Sequence, residues 1–245
     1  VSDTYQDLFA EGIFTGKGLY DVDAFSAALE DSVPENALLS HELVEGLHAR
    51  VALVSDVEVV DDYPSSVLWH ARREHRWVRG DWQILFWLFP FVPSRRGLKR
   101  NPLTAIGRWK ILDNLRRSLV APALLALLVA GWLVLPGRPG AWTAIVLGVA
   151  ASQLLPFLAR LLIGPGRSQS VPVFLANLRD DVITAVAQIV LTLTFLAFHA
   201  ADAVHAITVT LTRVVVTKRR LLEWETAAST ASRTAGLVGG RGLPR

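Results

Sequence analysis

The sequence predicts an α/β region in the first half of the chain and a transmembrane helical region in the second half. Residues 1–117 mix helix-like and strand-like patterns and carry 14 basic and 17 acidic side chains. Residues 118–245 carry 11 basic and 5 acidic side chains and contain three long apolar stretches. Apolar residues make up 51% of the chain, which is high for a soluble protein. The formal net charge of +3 is therefore the sum of an acidic first part and a basic second part.

The composition also limits the chemistry of the chain. It contains no cysteine, which excludes disulfides and thiolate metal ligands. It contains no methionine, and no signal-peptide pattern stands at its N-terminus. We therefore expect an internal segment of a longer protein.

The first 60 residues predict two helices, a loop and a strand. Gly12–Gly18 is a flexible loop that lacks the spacing of a phosphate-binding loop, and a short helix follows it and ends near Pro34. Apolar residues recur at helical spacing in Ser40–Val51, where Ser40 is a suitable N-cap and acidic residues fill the first turn. Residues 51–60, VALVSDVEVV, are rich in valine and predict a strand.

Residues 61–94 predict a turn, a helix and an apolar run. The helix, from Val67 to Trp82, carries four arginines. The run QILFWLFPFVP is too short to span a bilayer, and its aromatic residues are typical of a membrane interface. We expect Trp82, Trp87 and Phe89 to act as interface anchors. Residues 1–94 are thus predicted to be part of an α/β domain with too few strands for a complete sheet.

Residues 95–117 form a basic linker before the first apolar stretch, Ser118–Leu135. This linker carries eight basic side chains and one acid, Asp113. Nucleic-acid binding is one interpretation of such a run. Its position beside an apolar segment favours a cytoplasmic flank under the positive-inside rule, so we expect a lipid bilayer and no nucleic acid as a partner.

Residues 118–216 are predicted to be transmembrane. Ser118–Leu135 and Ala141–Ile163 would form a helical hairpin, followed by a polar loop over residues 164–181. Val182–Val216 is a third apolar stretch, which either spans once or lies partly along the interface, and the sequence leaves this topology open. Residues 217–245 are predicted to be a basic exit segment followed by a disordered tail.

Three polar residues interrupt the last apolar stretch. His199, Asp202 and His205 are spaced three residues apart, so they would share one side of a helix. A metal site is one interpretation. We favour the other, in which they mark the point where the helix leaves the bilayer.

Four motifs carry a resemblance to a known family. They are Phe14–Phe25, Val33–Leu43, Arg73–Gln83 and, more weakly, Arg219–Trp224. Together they resemble the bacterial cyclic β-1,2-glucan synthases, large inner-membrane proteins with a processive family 2-like glycosyltransferase domain. The resemblance implies that residues 1–94 are the C-terminal, acceptor-side part of a GT-A-like domain whose catalytic side is cytoplasmic, followed by multi-pass membrane helices.

The implied reaction transfers glucose from UDP-glucose to a growing glucan with inversion. It needs a base for the acceptor hydroxyl, which the family takes from a T-E-D-like motif. Ser40–Glu42 aligns with that motif, so the resemblance implies Glu42 as the base and His41 as a substrate contact. The alternative for Glu42 is an acid that only stabilises the start of a helix.

The second implied motif is R-E-H-R-W. Polymerising relatives carry Q-x-x-R-W, and Arg73 stands here at the glutamine position. Arg76 would bind the diphosphate and Trp77 would stack on the acceptor sugar. Further implied substrate contacts are Asp81, Trp82 and Lys17, whereas His75 is expected to be structural.

The implied donor half is not found in the sequence. We expect a divalent metal, Mg²⁺ or Mn²⁺, in the full synthase, with its ligands outside this chain. The pair Asp61–Asp62 follows the base and is a poor substitute. We therefore expect the isolated chain not to transfer sugar. A cellulose-like or hyaluronan-like synthase and a catalytically degenerate membrane scaffold remain the alternatives.

Overall fold

The computed structural model describes residues 2–14, 18–39, 42–60, 66–166 and 169–223. These residues are mostly helical. The chain divides into two compact units, one comprising residues up to Ser118 together with those from Ala203 onward, and one comprising Leu119–Asp202. Each unit is described separately.

Among its described residues, the first unit contains five α-helices before the first apolar stretch. Side-chain oxygens cap two of them: Asp21 accepts from the amide of Ala24 at 2.8 Å, and Ser66 accepts from the amide of Trp69 at 3.2 Å. Ser40, the predicted third cap, lies outside the described residues. The helices are α1 Ser2–Phe9, α2 Val22–Leu29, α3 Glu42–Ala49, α4 Val67–Gln83 and α5 Ala105–Ser118.

A β-hairpin separates α4 from α5. Its strands, β1 Phe91–Ser94 and β2 Gly97–Arg100, are antiparallel and follow a single 3₁₀ turn at Leu85–Leu88. Gly97 has a φ of +116°, which favours glycine over any L side chain. Asn101 closes the hairpin by donating to two backbone carbonyls of the preceding segment at 2.6 and 2.8 Å.

The hairpin corrects the prediction of an interfacial apolar run. Trp87 is 1% exposed and belongs to the core of the first unit, so its predicted role as an interface anchor is wrong. Phe89 is exposed, whereas Trp82 is half-buried and donates its indole N–H to Ser118 Oγ at 2.9 Å. The core that contains Trp87 joins α3, the hairpin and α5, and its buried members are Leu38, Val44, Ile84, Trp87, Val92, Leu103, Ile111 and Leu115.

The predicted strand over residues 51–60 is also wrong, because these residues form neither a strand nor a helix. Gln6 binds both backbone groups of Leu53 through its side chain, and Val51 accepts a hydrogen bond from Gly12. Val60 is 91% exposed. A strand needs a neighbouring strand to form hydrogen bonds with its backbone groups. Among the described residues, the one sheet is the hairpin, which does not include residues 51–60. The predicted α/β class therefore holds only in part.

The second unit contains the predicted helical hairpin. Its turn brings α6 and α7 so close that a Cβ atom on Gly131 would lie 2.4 Å from Cβ of Trp142. The indole of Trp132 donates to Thr143 Oγ1 at 2.9 Å. The helices in and around this unit are α6 Val120–Leu133, α7 Pro139–Ala151, α8 Leu155–Ile163, α9 Val171–Thr194 and α10 Leu196–Leu211.

Two predictions for this region need correction. The predicted polar loop over residues 164–181 is helical from Val171 onward, and Arg160 of α8 pairs with Asp181 of α9 at 2.6 Å. The predicted stretch Val182–Val216 is two helices with a break at Phe195. A π-helical turn, Thr212–Thr217, extends α10. The predicted tail from residue 224 lies outside the described residues.

Two helical stretches among the described residues are long and apolar enough to cross a membrane. They are Pro139–Ile163, of 25 residues, and Leu196–Thr217, of 22 residues. Helix α6 alone has 14 residues, or about 21 Å, against about 30 Å of hydrocarbon. Together with α5 it qualifies as a third, broken span. The described helices are consistent with a membrane protein.

Candidate functional site

Helix α4 carries most of the predicted site residues. Arg73 and Trp77 are four residues apart and therefore neighbours on the helix surface, and the Arg73 guanidinium carbon lies 4.4 Å from the centre of the Trp77 ring. Trp77 is 42% exposed. Arg76 is half-buried on the same helix. A ring held by a cation on one side and open to solvent can stack on a sugar ring.

A carboxylate on α4, that of Asp81, is electrostatically coupled to the carboxylate of Glu42. Glu42 is the first residue of α3, and Asp81 lies one helical turn after Trp77 on α4. Burial raises the pKa of Asp81 to about 6, and the negative charge of Glu42 acts in the same direction. A hydrogen bond from Asn114 and the charge of Arg117 partly oppose this shift. The first residue of α3 and the end of α4 therefore share one electrostatic environment.

Helix α5 supplies the rest of this polar cluster. The Asn114 amide donates to Asp81 Oδ1 at 3.0 Å, and its oxygen accepts from Arg117. Arg117 also lies 3.5 Å from Asp113. Sequence reasoning missed Asn114 and Arg117 because it treated residues 95–117 as a linker. Their spacing of three residues on one helix was the available indication.

A second charged cluster joins α4 to the residues that follow the last described helix. Arg79 donates to the backbone carbonyl of Glu223 at 2.9 Å, and Arg213 binds the Glu223 carboxylate at 2.6 Å. Arg213 also donates to the Arg220 carbonyl at 2.9 Å. Burial lowers the pKa of Arg79, with a further contribution from Arg213. These contacts hold residues 218–223, the exit segment, against α4.

His75 contacts the helix that precedes the exit segment. Its Nε2 lies 3.0 Å from Nδ1 of His205, and the two ring centres are 5.3 Å apart. The structural role expected for His75 stays a prediction. No group of three histidine, aspartate or glutamate residues among the described residues could hold a metal ion. The described part of the chain therefore does not support the metal interpretation of His199, Asp202 and His205.

Several predicted site residues cannot be placed. His41, Lys17, Asp61 and Asp62 lie outside the described residues, as does Trp224 of the last motif. The roles predicted for Glu42, Arg73, Arg76, Trp77, Asp81 and Trp82 remain predictions. Trp82 is held by Ser118, so its indole N–H is already occupied.

The helices and the candidate site are consistent with one class of protein: a membrane protein with a polar, carboxylate-containing cluster in its first unit. No family model matches the sequence. The chain is 43% identical over 241 residues, or 98% of its length, to the cyclic beta-(1,2)-glucan synthase NdvB of Rhizobium meliloti (strain 1021). It spans 8% of the length of that relative. The resemblance to cyclic β-1,2-glucan synthases predicted from the motifs is thus confirmed.

Proposed function

We propose that this chain is the acceptor-side segment of a longer membrane glycosyltransferase that transfers glucose from UDP-glucose to a growing β-1,2-glucan. The similarity to a glucan synthase supports the reaction class. The observation that carries the proposal is the electrostatic coupling of Glu42 to Asp81, a residue one helical turn after Trp77 of the Arg73–Trp77 pair. A proton acceptor and a sugar-stacking ring are thereby available in one region.

In this proposal Glu42 is the base of an inverting displacement. Its carboxylate takes the proton of the acceptor hydroxyl while the new oxygen–C1 bond forms and the C1–diphosphate bond breaks. Because base and leaving group stand on opposite faces of C1, the product is the β-glucoside and UDP departs. Arg76 would bind the diphosphate through paired guanidinium donors, and Trp77 would stack on the acceptor.

Asp81 has a separate role in the proposal. The negative charge of an ionised Asp81 makes proton uptake by Glu42 more favourable, which suits a base. Asn114 keeps Asp81 in place by its 3.0 Å hydrogen bond. Asp81 would thus tune the base and leave proton transfer itself to Glu42.

The divalent metal implied by the resemblance would stabilise the leaving diphosphate. The described residues offer no group of three ligands for it, so we assign none of them to it and propose that its ligands, like the rest of the donor site, lie elsewhere in the synthase. The isolated chain is therefore expected to be inactive with UDP-glucose.

The proposed location is the bacterial inner membrane, with the part of the first unit up to Ser118 on the cytoplasmic side. The two long apolar helices support membrane residence. Eight basic side chains between Arg95 and Arg117 support a cytoplasmic position for that flank. UDP-glucose is a cytoplasmic donor in this arrangement.

Glu42→Gln in the full-length synthase tests the proposal. Isolated membranes would receive labelled UDP-glucose, and the linkage of the product would be determined. We expect a loss of β-1,2-glucan of at least about 100-fold at unchanged protein level, because the amide cannot accept the proton. Glu45→Gln is the matched control, since it removes the other acid from the first turn of the same helix.

Each other result has a defined meaning. Full activity of the Glu42→Gln variant would contradict the assigned base and favour the scaffold interpretation of this segment. If the wild-type product has a different linkage, the assignment of Glu42 as the base still stands. The proposed polymer would then be a cellulose-like or hyaluronan-like one.

A further inference from the structure

Gln83, the last residue of α4, connects two distant parts of the chain. Its side chain is buried, with the residue 3% exposed. The amide oxygen accepts a hydrogen bond from the backbone N–H of Leu39 at 2.6 Å, and the amide nitrogen donates to the carbonyl of Leu221 at 2.9 Å. One side chain thus holds both the segment before α3 and the exit segment.

The Leu39 end of this bridge lies close to the proposed base. Leu39 precedes Glu42 by three residues. The neighbouring Leu38 is 3% exposed and Val44 is fully buried, so the core restrains the chain on both sides of the base. The hydrogen bond that the Leu39 N–H donates to Gln83 restrains the backbone between these two buried residues.

The Leu221 end is itself firmly held. Arg79 binds the carbonyl of Glu223, and Arg213 binds both the carbonyl of Arg220 and the carboxylate of Glu223. The exit segment is therefore a fixed support for the donor group of Gln83. An amide supplies a donor and an acceptor at once, which neither a carboxylate nor an apolar side chain of this length does.

We propose that Gln83 is a positioning residue for Glu42, which it acts on by fixing the backbone at Leu39 against the exit segment. This inference rests on the proposed function of Glu42. In this role Gln83 does not contact the substrate. Loss of the bridge should therefore displace the base and lower kcat, while KM for UDP-glucose stays near its wild-type value.

The first test compares Gln83→Met with Gln6→Met in the full-length synthase. Gln83→Met keeps the length of the side chain and removes both hydrogen bonds. Gln6 is a matched control because its amide likewise makes two backbone hydrogen bonds, both to Leu53. We expect kcat to fall on the order of 10- to 100-fold in Gln83→Met, as for a displaced catalytic group, and to stay near wild type in Gln6→Met.

The second test uses Gln83→Glu and pH. An ionised glutamate keeps the acceptor for Leu39 and lacks the donor for Leu221, whereas a protonated one supplies both. Burial favours the protonated form. The ratio of variant to wild-type kcat should therefore be below one at pH 8 and rise toward one as the pH falls to 6. A ratio that stays below one and does not rise as the pH falls would overturn the bridge, because the protonated side chain supplies both hydrogen bonds.

A third measurement is independent of activity. Hydrogen exchange of the peptide containing Leu39, followed by mass spectrometry, should be faster in Gln83→Met and unchanged in Gln6→Met. Unchanged exchange and full kcat in Gln83→Met, with Glu42→Gln inactive, would overturn the positioning role alone. Full activity of Glu42→Gln would overturn the proposed function and this inference with it. If Gln83→Met does not accumulate, the pH ratio of Gln83→Glu decides.

Discussion

At the scale of single residues, Asp81 has the most clearly perturbed environment of the site. Burial raises its pKa to about 6 from an ordinary value of 3.8. The folded protein therefore holds this proton more tightly than the unfolded chain does. The resulting contribution to stability is fully present below pH 3.8 and is lost as the pH rises through 6.

Replacing Asp81 by asparagine should remove this pH dependence. Asparagine is neutral at every pH and can still accept from Asn114. Relative to wild type, the unfolding free energy of Asp81→Asn should rise by up to about 3 kcal/mol between pH 3.8 and pH 7. Unfolding midpoints of the purified synthase in detergent across this pH range would measure it.

Asp113→Asn is the control for this experiment. Asp113 lies on α5 and forms ion pairs with Arg116 and Arg117. It takes no part in the hydrogen bond between Asp81 and Asn114. Parallel pH curves for wild type and Asp81→Asn would show that burial does not shift this carboxyl as described.

At the scale of elements, the close contact of α6 and α7 depends on one glycine. A Cβ atom on Gly131 would overlap the Trp142 side chain at 2.4 Å. Gly131→Ala should therefore push the two helices apart and destabilise the second unit by roughly 1–3 kcal/mol. Thermal unfolding of the synthase in detergent would detect this as a lower midpoint.

Gly148→Ala provides the comparison. Gly148 lies within α7, and an added Cβ there would meet no atom within 4 Å. Alanine is the better helix former, so this variant should be neutral or slightly more stable. Equal midpoints for the two variants would contradict the packing role of Gly131.

The helices were the elements best predicted from the sequence. Helical spacing correctly located α3, and α4 lies where a helix was predicted from Val67 to Trp82, because such patterns are local. The hairpin was missed because Trp87 and its neighbours have the composition of an interfacial segment, and only long-range packing distinguishes the two. The strand at residues 51–60 was predicted from its valine content. Valine favours a strand only where the strand packs in a sheet, and valine content does not show whether a partner strand exists.

The site was predictable only in part for the same reason. The motif residues on α4 and Glu42 were found through a resemblance. Asn114 and Gln83 were not, because each acts through a partner between 33 and 138 residues away. Sequence patterns reveal residues at regular spacing along one helix or strand. Pairs of residues this far apart in the sequence show no such regular spacing.

At the scale of the whole molecule, the basic flank predicts which side of the membrane each segment faces. We expect Leu98 on the cytoplasmic side and Arg138, in the turn between α6 and α7, on the opposite side, because positive charge is retained in the cytoplasm. Both residues are exposed. Single cysteines at these positions, in an otherwise cysteine-free synthase, would be treated with a membrane-impermeant maleimide in intact cells.

Only Arg138→Cys should react before the cells are lysed, and both should react afterwards. Reaction of Leu98→Cys in intact cells would reverse the proposed orientation. Reaction of both would exclude a span between the two positions.

The bridge at Gln83 has a consequence for biosynthesis. Leu221 follows Gln83 by 138 residues and comes after every apolar helix described above. A ribosome therefore completes α3 and α4 long before the exit segment exists. If Gln83 positions the base, a nascent chain carries an unfinished site until Leu221 has been synthesised. We expect the proposed site to be complete only after α10, the last helix described above, has been made.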